Sequence, residues 1–163
     1  MSQTRRDFVK STSLITGSLI AAPFLSEASM FNSLVDDTIK VALIGCGGRG
    51  TGAAIQALST KQNVKLVAMA DAFQDRLDNC YKEITGDDFE NLKSKIDVPA
   101  DRRFVGFDAY LKAIPLADVV ILTTPPGFRP LHFEAAVNAG KHIFMEKPVA
   151  TDPAGVQRVL AAA

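Results

Sequence analysis

Short apolar runs alternate with amphipathic segments along most of this chain. Runs of apolar and β-branched residues at 41–45, 64–70, 118–123 and 142–145 end in glycine, acidic or turn residues, and Phe104-Val105 is a briefer run of the same kind. Such runs predict buried parallel strands, because a strand that is covered by helices on both faces needs no polar alternation. Strands that alternate with helices form a doubly wound parallel sheet, so the predicted fold class is α/β.

The segments between these runs carry apolar residues at helical spacing. Helices are predicted after the first run, over 72–84, from Pro130 to Gly140, and beyond an N-cap at Asp152. The charged stretch 87–103 is ambiguous and is interpreted as an excursion between a helix and a strand. The residues expected on the buried faces of the helices are Ala53, Ala54, Ala57, Leu58, Phe73, Leu77, Tyr81, Ile84, Val156, Val159 and Leu160.

The first run ends in a glycine-rich turn, in which Gly45, Gly47 and Gly50 fill the pattern G-x-G-x-x-G. The first glycine permits a sharp turn, the second lets the backbone approach a pyrophosphate, and the third lets the following helix pack closely on the strand. Asp71 ends the next run about 20 residues after Gly50, where dinucleotide-binding folds place the carboxylate that binds the adenosine ribose. Together these features predict an NAD site, with NADP as the weaker candidate, rather than a purely structural turn.

Two arginines and a fourth glycine are candidates for further contacts to this cofactor. Gly48 and Arg49 lie inside the turn, and Arg76 lies on the helix that follows Asp71. Arg49 is predicted to contact a phosphate and Arg76 to lie near the adenine. For each arginine, a solvated charge on a helix is an equally open alternative.

The composition limits the function classes without choosing among them. With 163 residues, of which 47% are hydrophobic, the chain can bury one good core. Its formal net charge of +0 gives no support to nucleic-acid binding. The chain has 2 cysteines, Cys46 and Cys80, and we expect two small buried side chains rather than a disulfide scaffold.

The first residues of the chain predict an export signal. Arg5 and Arg6, followed by Phe8 and Lys10, precede a mildly apolar run from Leu14 to Leu25. This run is too short to span a membrane as a mature helix. An arginine pair before such a run predicts the twin-arginine route, with the export machinery as partner and a periplasmic or secreted location. A basic, frayed N-terminus is the alternative.

Small residues at Ser26 and Ala28 predict cleavage after Ala28. The chain is therefore divided into a twin-arginine export signal at 1–28, a polar linker at 29–38 and an NAD(P)-binding domain at 39–163. Proteins that use this route cross the membrane already folded, so a cofactor bound in the cytoplasm would be carried out with the protein.

The sequence Met145 to Ala150, MEKPVA, completes a set of motifs that occur in a known order. With the glycine turn, the acid after the second strand and a Thr-Pro turn after the fourth, it makes the chain resemble the N-terminal domain of the Gfo/Idh/MocA oxidoreductases. This resemblance, which runs from about Ile39 to the last residue, implies a Rossmann-like domain of an NAD(P)-dependent enzyme. The enzyme would transfer hydride to or from a sugar, cyclitol or related polyol. In that family a second, substrate-binding domain follows, so we expect this chain to be a truncated, inactive part of a homo-oligomeric enzyme.

The resemblance also assigns roles at the E-K-P turn. It implies that Lys147 is catalytic, also contacts the cofactor, and hydrogen-bonds the hydroxyl group that gives up hydride. An ammonium group at a strand end in a partly dry crevice would stabilise developing alkoxide charge, which supports this role independently. The alternative is a surface lysine beside a turn-forming proline. Glu146 is expected to orient the cofactor, and Pro148 to stiffen the turn.

Thr123, Thr124 and Pro125 resemble the family turn that touches the nicotinamide half of the cofactor. The family often has asparagine after that proline, where this chain has Pro126. His132 matches a family histidine near the turn, and either packs the helix or contacts the cofactor. Metal binding by this histidine is not expected, because no partner ligands accompany it.

Two other functions compete with a dehydrogenase. Some proteins of this fold are NAD-dependent glycoside hydrolases, which keep the cofactor tightly bound and show no net redox change. Export favours this alternative, because no supply of free NAD is expected outside the cytoplasm. The other alternative is a nucleotide-binding fragment without catalysis.

Overall fold

The computed structural model describes residues 37–163. The predicted export signal and most of the predicted linker lie outside these residues. The described part contains five strands and five α-helices in alternation, which are β1 (Ile39–Ile44), α1 (Gly48–Leu58), β2 (Val64–Asp71), α2 (Gln74–Ile84), β3 (Arg103–Val105), α3 (Ala109–Ala113), β4 (Val119–Leu122), α4 (Arg129–Asn138), β5 (His142–Met145) and α5 (Pro153–Ala162).

The five strands form one parallel sheet in the order β3-β2-β1-β4-β5. β1 lies at its centre, where Val41 pairs with Leu66 of β2 and with Val119 of β4. The chain moves outwards from β1 to one edge and then returns to β4 and the other edge. The prediction of a doubly wound parallel sheet is confirmed, and the change of direction between β1 and β4 creates the crevice where such sheets bind ligands.

The sheet has a hydrophobic layer on each face. Leu43 belongs to one buried cluster, whereas its neighbour Ile44 belongs to the other, as the two-residue period of a strand requires. Leu66, Leu77 and Ile84 fill the first layer. Burial on both faces explains why β1 reads as a continuous apolar run.

Three residues that were predicted for buried helix faces are exposed, namely Phe73, Val156 and Leu160. Phe73 precedes α2 with extended backbone (φ −121°, ψ 130°), and 58% of its surface is accessible. Its side chain therefore stands at the carboxyl edge of β2 instead of joining the stripe of Leu77 and Ile84. Leu160 on α5 is 71% exposed, because only its neighbour Val159 turns into the core.

The ambiguous stretch 87–103 consists mainly of two 3₁₀ helices, Asp87–Lys95 and Ala100–Arg102. Leu92 is buried against the first hydrophobic layer, so this excursion is part of the core. A third 3₁₀ helix, Ile114–Leu116, leads into β4. Within residues 37–163, no helix is long and apolar enough to cross a membrane.

Candidate functional site

The glycine turn has the close contacts that the G-x-G-x-x-G pattern predicts. Gly45 has a positive φ of 97°, which favours glycine, and a Cβ atom there would lie 2.7 Å from the Thr124 nitrogen. A Cβ atom at Gly50 would lie 1.9 Å from the Gly45 carbonyl oxygen. These contacts explain why Gly45 and Gly50 are glycines. The turn packs closely against its own helix and against the end of β4, and leaves no room for a Cβ atom.

The other side of the turn is open. No heavy atom lies within 4 Å of a Cβ built on Gly47 or Gly48. Gly47 is the N-cap of α1, and no side chain caps this helix end. The first N–H groups of α1 are therefore available to an anion, and a pyrophosphate fits an open glycine backbone at a helix N-terminus.

Asp71 lies at the end of β2 and faces the same turn. Its carboxylate accepts hydrogen bonds from the backbone N–H of Cys46 at 2.6 Å and from that of Phe73 at 2.9 Å. These two bonds fix the carboxylate at the rim of the crevice. A carboxylate accepts about four hydrogen bonds, so capacity remains for the two hydroxyls of a ribose.

A cavity of about 550 Å³ lies beyond the carboxyl ends of the strands. This volume is within the usual range of small-molecule sites. The predicted site residues that line it are Gly45, Gly47, Asp71, Arg76, Thr123, Thr124, Pro125 and His132. The carboxyl ends of β1, β2 and β4 therefore share one crevice. Residues 146–148 after β5, which were expected in the same crevice, are not among the residues that line it.

The E-K-P turn after β5 lies beside this cavity. Gly48, Arg49, Gly50, Glu146 and Lys147 are not among the residues that line the cavity. Lys147 is exposed, so the described residues do not provide the partly dry surroundings that were predicted for it. The Lys147-Pro148 peptide bond is cis.

Arg49 and Glu146 connect the glycine turn to the E-K-P turn. Their side chains form an ion pair, in which the carboxylate is largely buried and the guanidinium is about half exposed. The hydrogen bond from Arg49 lowers the pKa of Glu146. The Arg49 guanidinium is thus paired with a carboxylate of the protein. Its predicted contact with a cofactor phosphate stays a prediction.

His132 packs in the interior and also reaches the cavity wall, so its packing role is observed and its cofactor contact stays a prediction. It is 6% exposed, and its ring lies 4.3 Å from that of Tyr110, centroid to centroid. Its Nδ1 atom lies 3.0 Å from the Thr124 hydroxyl, at the cavity wall. Burial lowers the His132 pKa to about 4, so the ring is neutral near pH 7. Its position fits packing and alignment of the Thr-Pro turn.

Three exposed phenylalanines at the cavity were missed from the sequence. Phe107 contacts Phe73 and Phe128, with ring centroids 6.3 Å and 6.0 Å apart. All three line the cavity. Phe73 was assigned to a buried stripe, and nothing in the local pattern marked the other two. Their proximity arises only when the ends of β2, β3 and β4 meet.

Arg129 is the most prominent residue that sequence reasoning missed. It is 5% exposed and lines the cavity. Its guanidinium donates to three backbone carbonyls, those of Thr124, Glu146 and Pro148. The sequence contained one signal for Arg129. A cation in the first turn of a helix interacts unfavourably with the helix dipole, so another interaction must favour arginine at this position.

The two cysteines are free and buried, as predicted. Both lie in the first hydrophobic layer, and the Cys46 thiol in the glycine turn donates to the Ala70 carbonyl oxygen at 3.6 Å. The neighbouring Cys80 thiol and burial raise the pKa of Cys46. The pair therefore packs the turn against α2 as two small side chains.

Residues 39–163 match the family described as oxidoreductases with an NAD-binding Rossmann fold, Gfo/Idh/MocA. A glycosyl hydrolase family 109 protein from Solibacter usitatus is 29% identical over 165 residues, covering 90% of this chain and 33% of the relative. A second protein of that description, from Streptomyces coelicolor, is 29% identical over 138 residues and is covered over 25% of its length.

Among solved structures, apo scyllo-inositol dehydrogenase from Lactobacillus casei superposes with a TM-score of 0.58 at 26% identity, over 79% of this chain and 34% of that one. The same enzyme with bound NAD(H) and scyllo-inositol gives 0.57 at 26% identity, over 77% of this chain and 33% of that one. The chain thus spans between 25% and 34% of the length of these relatives. With its motifs, its sheet order and the match over residues 39–163, the chain belongs to the Gfo/Idh/MocA oxidoreductase family.

Proposed function

We propose that this chain is the cofactor-binding part of an NAD-dependent oxidoreductase that acts on a sugar, cyclitol or related polyol. The observation that carries this proposal is the cavity beside the glycine turn, with Asp71 fixed at its rim. An inositol dehydrogenase with bound NAD(H) and scyllo-inositol is among the structural relatives, which supports a polyol as the substrate class.

Residues at and beside the cavity are proposed to bind different parts of the cofactor. The open backbone of Gly47 and Gly48 and the first amides of α1 hold the pyrophosphate. Asp71 accepts hydrogen bonds from the adenosine ribose. The Thr-Pro turn at 123–125 lies where the nicotinamide half is expected, on the side of the cavity that faces β4. A nicotinamide held in this way supplies the acceptor or donor of hydride.

Lys147 is proposed as the group that acts on the substrate. Its ammonium would hydrogen-bond the hydroxyl that loses hydride, and would stabilise the negative charge that develops on this oxygen. For this role the surroundings of Lys147 must become drier than they are in residues 37–163, where the side chain is exposed. Closure of a substrate-binding domain over the cavity, as the family resemblance implies, would exclude that water.

A second candidate function is the hydrolysis of glycosides with tightly bound NAD and no net redox change. The observation in its favour is that two glycosyl hydrolase family 109 proteins are 29% identical to this chain. A hydrolase needs the same nicotinamide site, so the geometry of the cavity supports both functions equally.

Turnover by the complete protein separates the two candidates. With scyllo-inositol and NAD⁺, a dehydrogenase forms NADH in proportion to the polyol oxidised. With an aryl glycoside and no added NAD⁺, a hydrolase releases the phenol while the amount of NADH stays constant. NADH formation supports the leading proposal, phenol release supports the second, and binding of NAD⁺ without either reaction would contradict both.

A further inference from the structure

The E-K-P turn is held by a buried arginine that the predicted site did not include. The guanidinium of Arg129 donates through Nε to the Thr124 carbonyl oxygen at 2.8 Å, and through Nη1 to the Glu146 carbonyl oxygen at 2.7 Å. The same Nη1 atom donates to the Pro148 carbonyl oxygen. Its backbone acceptors on the E-K-P turn are therefore the carbonyls on either side of Lys147.

This arrangement joins the two turns at the reactive end of the crevice. Thr124 belongs to the Thr-Pro turn that lines the cavity, and Arg129 itself lines the cavity from the base of α4. The E-K-P turn lies on the far side of this guanidinium. Arg129 is thus a direct polar connection between the cavity wall and the backbone that carries Lys147.

Arg129 carries its charge in a buried position, and burial disfavours the charged form of a side chain. Burial lowers its pKa, although an arginine remains charged near pH 7. The carboxylate of Glu146 is paired with Arg49, so Arg129 bonds only to carbonyl oxygens among the described residues. The planar guanidinium has five N–H donors in a fixed fork, which lets it hold two turns at once; a lysine ammonium is a point charge and cannot reproduce that geometry.

We propose that Arg129 is a positioning residue, which holds the Thr-Pro turn and the E-K-P turn together and so sets where the Lys147 ammonium stands relative to the bound nicotinamide. This inference rests on the proposed function, since it requires a cofactor in the cavity and Lys147 beside it. It adds a residue outside the glycine, acid, Thr-Pro and E-K-P motifs, and assigns Arg129 a role that it exerts through the backbone of the two turns.

The test follows the Lys147 side chain when NAD⁺ binds to the chain. Lysines are reductively methylated with a ¹³C label, which keeps their charge, and the Lys147 signal is identified by its absence in Lys147→Arg. In the unsubstituted chain, NAD⁺ is expected to shift this signal. In Arg129→Met, NAD⁺ should bind with an affinity changed by less than about threefold, because the glycine turn and Asp71 are intact. The shift of the Lys147 signal should be lost.

Arg158→Met is the matched control, because Arg158 pairs with Glu134 on the outer surface of α4 and α5. It removes an equal charge from the same part of the fold and should leave the Lys147 shift unchanged. Arg129→Lys serves as the second variant should the methionine variant fail to fold. It keeps the charge without the fork, and should bind NAD⁺ with a Lys147 shift smaller than in the unsubstituted chain.

The outcomes separate this inference from the proposed function. If a folded Arg129 variant binds NAD⁺ and keeps the full Lys147 shift, Arg129 only stabilises the fold and the inference is wrong. If the unsubstituted chain binds NAD⁺ without any shift of the Lys147 signal, Lys147 does not stand beside the bound cofactor in this chain, and the inference is wrong while NAD⁺ binding itself is retained. A lost shift in the Arg129 variants, with the Arg158 control intact, supports the positioning role.

Discussion

Two backbone amides hold the Asp71 carboxylate in place without any ligand. The carboxylate is therefore already ordered for its proposed hydrogen bonds to the adenosine ribose. Because its rotamer is set by Cys46 and Phe73, the carboxylate does not need to be ordered when a ribose binds. In the proposed binding mode, the same fixed charge would repel a 2′-phosphate. Arg76 also lines this cavity, so the expected selectivity depends on the balance between the Asp71 carboxylate and the Arg76 guanidinium.

The first prediction concerns this balance. The chain should bind NAD⁺ more tightly than NADP⁺, and Asp71→Asn should reduce the preference by roughly tenfold, or about 1.4 kcal/mol. Asparagine has an oxygen for only one of the two backbone amides, which bond different oxygens of Asp71, so circular dichroism is used to check that the variant is folded. Calorimetric titration with both cofactors measures the preference, and Asp75→Asn, an exposed acid in the first turn of α2, is the control. Tighter binding of NADP⁺ by the unsubstituted chain would contradict the assignment of Asp71.

His132 predicts a pH dependence of stability. Its pKa falls from 6.5 to about 4 because the ring is buried. Between these values the unfolded chain binds more protons than the folded one, so the His132 contribution to stability is complete above pH 6.5 and is lost as the pH falls towards 4. The full loss amounts to about 3 kcal/mol.

Urea unfolding across this pH range tests the prediction. His132→Gln keeps a hydrogen-bonding group near Thr124 but has no titrating ring, so its free energy of unfolding should fall less steeply with acid than that of the unsubstituted chain. His142→Gln is the natural control, because His142 is exposed and is the only other histidine of the chain. If the free energy of unfolding falls equally with acid in the unsubstituted chain and in His132→Gln, protonation of the buried ring does not destabilise the fold, and the prediction is wrong.

At the scale of elements, the glycine turn and α1 depend on glycine for different reasons at different positions. Gly50 permits the close approach of α1 to the Gly45 carbonyl, whereas Gly52, two residues later in the same helix, has no heavy atom within 4 Å of its missing Cβ. A matched pair of alanine substitutions therefore separates packing from helix propensity.

Gly50→Ala should displace the start of α1, because a Cβ atom cannot lie 1.9 Å from a backbone oxygen. We expect a loss of roughly 1–3 kcal/mol in stability, as for other overpacked sites, and a weaker affinity for NAD⁺. Gly52→Ala should keep NAD⁺ binding and gain up to about 1 kcal/mol from helix propensity. Thermal unfolding with and without NAD⁺ compares the two. Equal NAD⁺ affinity in both variants would show that the turn does not hold the pyrophosphate.

The elements were predictable where local chemistry determines them. Strand β5 was predicted at 142–145 and is found there, and Asp152 caps α5 by accepting a hydrogen bond from the Gly155 amide. Arg129 was not predictable in this way, because its acceptors on the E-K-P turn lie 17 and 19 residues further along the chain. The exposed phenylalanines escaped for the same reason, since only the completed sheet brings Phe73, Phe107 and Phe128 together.

At the scale of the whole molecule, the predicted twin-arginine signal concerns the compartment in which the protein acts. The paired arginines at the start of the chain lie outside the described residues, so export is tested in cells. Changing Arg5 and Arg6 to lysine keeps the charge but removes the guanidinium pair that the export receptor reads. We expect precursor to accumulate in the cytoplasm, as seen by cell fractionation. Lys10→Arg is the control that leaves the pair intact, and continued export of the double variant would exclude the twin-arginine route.

Export has a consequence for the cofactor. A protein that folds around NAD before crossing a membrane, and meets no supply outside, must keep its cofactor and restore it within every turnover. In the proposed binding mode, the pyrophosphate would lie on the open face of the glycine turn, where no heavy atom lies within 4 Å of a Cβ built on Gly47 or Gly48. Slow release therefore requires a cover over the nicotinamide, which a closing substrate domain provides in the architecture that the family resemblance implies.

The last prediction follows from this requirement. Mature, complete protein from the exported fraction should carry nucleotide through desalting, and should act without added NAD⁺, either on aryl glycosides or by passing hydride between two polyols bound in turn. The 163-residue chain should bind NAD⁺ weakly, because residues 37–163 leave the cavity open, and should catalyse neither reaction. Absorbance of the released nucleotide measures the first property, and product formation measures the second. Exported protein that is free of nucleotide, and active only with added NAD⁺, would instead identify an ordinary dehydrogenase with an exchangeable cofactor.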